Sequence, residues 1–193
     1  MRFEGRGFAL ALRWRPIFAI GIVVLMRSLM ATATESPSEL EAFLSRFRCD
    51  VLERLAYIHT HGDRAGPDRF IVVALEGYPE AYVQCIFQDN DAKVLCEASS
   101  GFFAQLPGQS RRFHVKPRGV LILEKLGFSI DDSGGNYQRM VELGSPPDLL
   151  AIADLMLTTL YEVYGAQHAT ALEIKAPLAP DSTLSLARCT GSA

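Results

Sequence analysis

The segment His59-Thr60-His61-Gly62-Asp63 sets two imidazoles and a carboxylate at alternating positions, a spacing from which metal-dependent hydrolases build a divalent-metal centre. Imidazole nitrogens and carboxylate oxygens are the donors such an ion takes, and the bound ion would activate water. The pattern usually continues with a further His, where this chain has Arg64, and only His114 and His168 remain as other imidazoles. Roughly 165 residues beyond the N-terminal stretch also leave little room for the layered scaffold on which such centres sit. The plainer reading is a helix C-terminus, whose dipole favours imidazolium, running into a polar loop. No cofactor is therefore expected, and the alternative is a metal-dependent hydrolase using His59, His61 and Asp63.

Four cysteines, Cys49, Cys85, Cys96 and Cys189, lack the Cys-x-x-Cys spacing of zinc or dithiol sites. Serine, histidine and carboxylates are too scattered for a catalytic triad, and no nucleophile elbow, phosphate loop or dinucleotide fingerprint occurs. Asp132-Ser133-Gly134-Gly135 falls after an expected helix and before an expected strand, the wrong context for a phosphate cradle, and reads as turn chemistry. Arg111, Arg112, His114, Lys116 and Arg118 form a basic run. Its plain reading is solvated surface, and its functional reading is a contact for an acidic patch on a partner.

The chain has 193 residues and a formal net charge of -3. Residues 1–30 carry five arginines against Glu4 alone, so the remainder holds 14 basic and 21 acidic residues, a charge of -7. That balance argues against a nucleic-acid partner. Pro16 to Met26 is an apolar run after a basic stretch, and Ala31-Thr32-Ala33 offers small residues at cleavage-site spacing, the outline of a signal peptide that Arg27 interrupts. As a membrane anchor the run is short of the ~20 apolar residues that a bilayer needs. A translation start at Met26 or Met30 is the third reading. A membrane partner, or export, is expected only if residues 1–30 are retained.

Ser36-Pro37-Ser38-Glu39 reads as a capping box with proline at the first helical position. Leu40, Phe43, Leu44, Phe47, Val51, Leu55 and Ile58 then recur at helical spacing, predicting an amphipathic helix that ends near His59. Strand character follows at Phe70–Leu75, Tyr82–Phe87 and Lys93–Ala98. Pro117–Leu126 predicts a short helix stopped by Gly127, Tyr137–Leu143 a fourth strand, and Ser145-Pro146-Pro147-Asp148 opens a second long helix that Gly165 stops. The order α-β-β-β-α-β-α predicts an α+β fold, an antiparallel sheet flanked by helices. The chain divides into a leader (1–30), a domain (31–168) and a C-terminal tail (169–193) whose one extended segment is Leu172–Ala176.

A two-residue turn at Asn90-Asp91 pairs Val83 with Ala98, Cys85 with Cys96 and Phe87 with Val94, so one face of that hairpin is wholly apolar. Such a turn also puts Cys85 and Cys96 at a hydrogen-bonded pair, with Cα atoms ~5.5 Å apart and side chains poorly aimed for bridging. Reduced core thiols are the expectation. The other face mixes Tyr82, Gln84, Ile86, Lys93, Leu95 and Glu97, which is neither a core nor an ordinary solvated surface.

Order and local phrases together resemble the TY-Chap family, bacterial domains related to type III secretion chaperones and to YbjN. The phrases are Tyr82-Val83-Gln84, Val94 to Ala98, Leu126-Gly127-Phe128, Asn136-Tyr137, Ala153-Asp154-Leu155, Leu160-Tyr161-Glu162-Val163-Tyr164-Gly165 and His168. They span about Arg69 to His168, and family members often carry Trp where this chain has Phe128 and Tyr137. The resemblance implies a chaperone-like fold that binds a protein or peptide client, often as a homodimer, with no catalytic residues. On this reading Tyr82, Gln84, Ile86, Leu95 and Met140 form the client-binding or dimer face, in a non-enzymatic and cytoplasmic protein. A membrane-tethered accessory protein is the other alternative.

Overall fold

A computed structural model describes residues 38–61, 66–104 and 113–179. The first helix, α1 (Glu39–His61), is capped by Ser38, whose Oγ accepts from the Glu41 N–H at 3.2 Å. The expected cap, Ser36, lies outside the described residues. Glu39 and Glu41 in the first turn and His59 and His61 in the last both suit the helix dipole. Phe43, Leu44, Val51, Leu55 and Ile58 bury one stripe of it, as their spacing requires.

Three strands follow, β1 (Phe70–Leu75), β2 (Tyr78–Gln88) and β3 (Lys93–Ala98), then α2 (Pro117–Lys125), β4 (Tyr137–Glu142), α3 (Leu149–Glu162) and β5 (Leu172–Lys175). The fold is α+β, with the expected order extended by a fifth strand. Asp148 caps α3, its Oδ1 accepting from the Ala151 N–H at 2.9 Å. The sheet is antiparallel throughout, in the order β4-β3-β2-β1-β5.

Strand alternation sends Ile71, Val73, Leu75, Val83, Cys85, Phe87, Val94, Cys96 and Ala98 to one face, all of them buried. The core lies between that face and Ile152, Ala153, Met156, Leu157 and Leu160 of α3, with the stripe of α1 beside them. Burial of the larger of these side chains contributes about 1.5–3 kcal/mol each, which makes this layer the main source of stability.

The β2–β3 register has the expected pairs, but its connection is longer than expected. Gln88 pairs with Lys93, and Asp89–Asp91 form a turn whose three residues all have positive φ, at 49°, 53° and 74°. Asn and Asp are the non-glycine residues that tolerate this conformation best. Lengthening the turn reverses which pairs exchange hydrogen bonds. The Ser99 N–H donates to the Tyr82 carbonyl at 3.1 Å, so even-numbered β2 residues occupy the bonded pairs and Cys85 faces Cys96 at a non-bonded one. Their Cα atoms are 4.1 Å apart and the two are joined in a disulfide, which overturns the expectation of reduced thiols. Cys49 is disulfide-bonded as well.

Arg69 fastens this turn to the rest of the fold. Its guanidinium pairs with the Asp91 carboxylate, donates to the Ile58 carbonyl at 3.3 Å and lies over the Phe87 ring at 5.4 Å. The two charged side chains are 3% and 5% exposed, so removing one strands the other in a low-dielectric site. Arg69→Met should therefore cost about 3–5 kcal/mol in urea unfolding. A loss under ~1 kcal/mol would mean that water reaches the pair after all.

Candidate functional site

The second sheet face is left accessible, and the register orders it into rows that run across the strands. Phe70 pairs with Ile86, Ile86 with Leu95 and Leu95 with Met140, giving one apolar row over β1, β2, β3 and β4. Phe70, Ile86 and Leu95 are half-buried, and Met140 is 48% exposed. The row crosses three strand spacings of ~4.8 Å, about 14 Å in all.

Polar rows bracket it on both sides. Along one, Val72 pairs with Gln84, Gln84 with Glu97 and Glu97 with Gln138. The Glu97 carboxylate accepts from the Gln84 amide through Oε2 and from the Gln138 amide through Oε1 at 2.9 Å, a clamp spanning β2, β3 and β4. Along the other, Lys93 reaches Glu142 at 3.4 Å and Asp89 at 3.7 Å. These polar groups are satisfied within the sheet, so a ligand on the apolar row need not desolvate an unpaired charge.

Beyond the Glu97 row, Tyr82 accepts from the Asn136 amide at 2.9 Å. A hollow of about 210 Å³ opens between Val72, Ala74, Tyr82 and Gln84, with Glu173 and Lys175 of β5 at its rim. On the helix side Tyr164 is half-buried, and its hydroxyl donates to the Ser99 carbonyl at 2.8 Å. Burial, and then the nearby Tyr82 and Tyr137 phenols, push Tyr164 well above its ordinary value, so it stays a neutral donor.

All five residues proposed from sequence, Tyr82, Gln84, Ile86, Leu95 and Met140, lie on this face. Phe70 and Val72 lie there too and escaped the sequence reading. Their alternation was visible, but nothing in the chain stated that β1 pairs with β2 in the register that lines Phe70 up with Ile86. The β5 rim was missed for the same reason.

The alternative metal centre does not assemble from its two described imidazoles. Because α1 runs on to His61, His59 and His61 lie two residues apart on a helix, about 200° around its axis. His59 packs 6.0 Å from the Phe87 ring, while His61 stacks on Tyr57 at 4.2 Å with its Nδ1 2.7 Å from Thr60 Oγ1. Asp63 lies outside the described residues, among which no cluster of three metal-ligating side chains occurs. In the glycine-rich turn, Asp131 accepts from the Ser133 N–H at 3.0 Å, and hydrogen bonds from Ser133 hold its carboxyl below the usual range, which is turn chemistry. Among the described residues no helix is long and apolar enough to cross a membrane.

The sheet is thus open on one face and backed by helices on the other. Residues 45–177 match the family described as "T3SS (YopN, CesT) and YbjN peptide-binding chaperone 3", TY-Chap3, and the chain belongs to it. The match reaches further than the sequence phrases did, taking in most of α1 and all of β5. No curated relative and no solved structure matches the chain.

The two faces differ by one residue along β3, which makes them separable by substitution. Val94→Asp, placing a carboxylate at a fully buried position, should abolish cooperative thermal unfolding followed by circular dichroism. Leu95→Asp, on the accessible face, should stay folded with a change of about 1 kcal/mol or less. Equal damage from both would contradict the assignment of faces.

Proposed function

We propose that this chain is a non-enzymatic peptide-binding chaperone whose client lies on the row formed by Phe70, Ile86, Leu95 and Met140. The observation that carries the reading is the continuity of that row across four strands, between polar rows already satisfied by their own partners. An extended client presents alternate side chains to one side, so apolar residues at every second position meet the row while the intervening ones face water. Covering roughly 300 Å² of apolar surface gains about 7 kcal/mol before the client's ordering cost is subtracted, which favours weak, exchangeable binding over permanent capture. Tyr82 and Gln84 add a polar border next to the hollow.

A fluorescein-labelled peptide of alternating Val and Ser should bind with an affinity that Leu95→Asp and Met140→Asp each lower about tenfold or more, read by anisotropy. Undiminished binding in both variants would remove this face from the site. Homodimerisation through the same row is the competing use, and light scattering of the two variants tells them apart, since a dimer held by the row would dissociate.

The Cys85–Cys96 bond also supports an oxidising working environment, the exported alternative, over a cytoplasmic one. Protein alkylated at the moment of harvest and digested without reductant should yield the peptides of Cys85 and Cys96 cross-linked. Recovery of both as alkylated thiols would return the protein to a reducing compartment.

A further inference from the structure

We propose that a groove between the segment leading into α2 and the C-terminal end of α3 is a second docking surface, and that its occupant is an acidic peptide segment of a partner protein. The groove has a volume of about 770 Å³. Its floor is apolar and aromatic, made by Phe113, Val115, Tyr161, Val163 and Tyr164. The Phe113 and Tyr164 rings stand 6.0 Å apart, and the hydrogen bond from Tyr164 to Ser99 fixes the second of them. Gly119 brings α2 against this floor, because a Cβ there would meet Val115 Cγ1 at 2.8 Å and Val163 Cγ1 at 3.2 Å.

The rim is basic. Alternation along the approach to α2 turns Phe113 and Val115 inward and leaves His114 and Lys116 exposed, and Arg118 continues the rim on the first turn of α2. Among the described residues none of these three has an ion-pair partner, whereas Arg48, Arg54, Arg69, Lys93 and Lys175 each meet a carboxylate. Lys116 is also the N-cap of α2 and makes no side-chain cap, so the positive end of the helix dipole adds to the same rim. Beyond residue 30 the chain carries -7, and here Lys116 and Arg118 stand with His114 beside an aromatic floor. Glu39 and Glu162 line the groove as well. They would repel a strand bearing a phosphate at every step, while a peptide with a few carboxylates between apolar residues can set its charges against the basic rim alone.

The test uses two fluorescein-labelled peptides, one alternating Glu and Leu and one alternating Lys and Leu, with the full chain and with its Leu95→Asp variant, in which the sheet face is blocked. In the Leu95→Asp variant the Glu–Leu peptide should still bind, weaken with added salt, and lose about tenfold or more in affinity when Lys116→Glu/Arg118→Glu is added. If that pair fails to fold by circular dichroism, Lys116→Gln/Arg118→Gln takes its place with a smaller loss in the same direction. In the Leu95→Asp background, binding unchanged by either pair, equal binding of the Lys–Leu peptide, no binding of either peptide, or displacement by a single-stranded oligonucleotide at lower concentration than by unlabelled Glu–Leu peptide would each overturn the proposal. A change from dimer to monomer in the charge-reversed pair would overturn it too, assigning the groove to a second copy of the chain.

Discussion

Helices α1 and α3 bury one face of a five-stranded sheet and leave the other accessible, and the period-two alternation of a strand carries that asymmetry down to single residues. Val94 belongs to the core and Leu95 to the open face, though they are neighbours of similar chemistry. The core and the proposed binding surface thereby take alternate positions of the same strands. The core face is filled by β-branched and aromatic side chains against the helices, and the open face holds apolar side chains that no core requires.

That division was legible in the sequence wherever one segment was enough to display it. The alternation of Val83, Cys85 and Phe87 against Gln84 and Ile86, together with the mirrored pattern from Val94 to Ala98, yields the hairpin register directly. Helix α1 was readable from the three- and four-residue recurrence of Phe43 to Ile58, because a helix needs no distant partner to declare its inner side. Phe70, Val72 and the contribution of β5 were not readable, since they depend on which strand lies beside which, a fact of topology that no local pattern states.

The errors near the chain reversals share one origin. The pairing of Cys85 with Cys96 follows from the sum of their positions alone, but whether the pair is bonded or non-bonded depends on the length of the turn, and a four-residue connection in place of two inverts it. Likewise His59 and His61 read as convergent ligands only while the helix is taken to end at His59. Two further helical residues send their rings to different neighbours, Phe87 and Tyr57. In both places a shift of one or two residues in where an element ends changed the chemistry and left the fold intact.

The apolar row runs at right angles to the chain, and each of its four members comes from a different strand. It has no counterpart as a contiguous stretch of sequence. Phe70, Ile86, Leu95 and Met140 are separated by turns and by α2, and Ile86, Leu95 and Met140 each stand between polar neighbours within their own strand's open face. The shape of the row can therefore be retuned one ring or one methyl group at a time, without lengthening any strand or disturbing any register. The reach of the surface is counted in strands, so detaching β4 would shorten it by a full step while leaving the remaining three residues aligned.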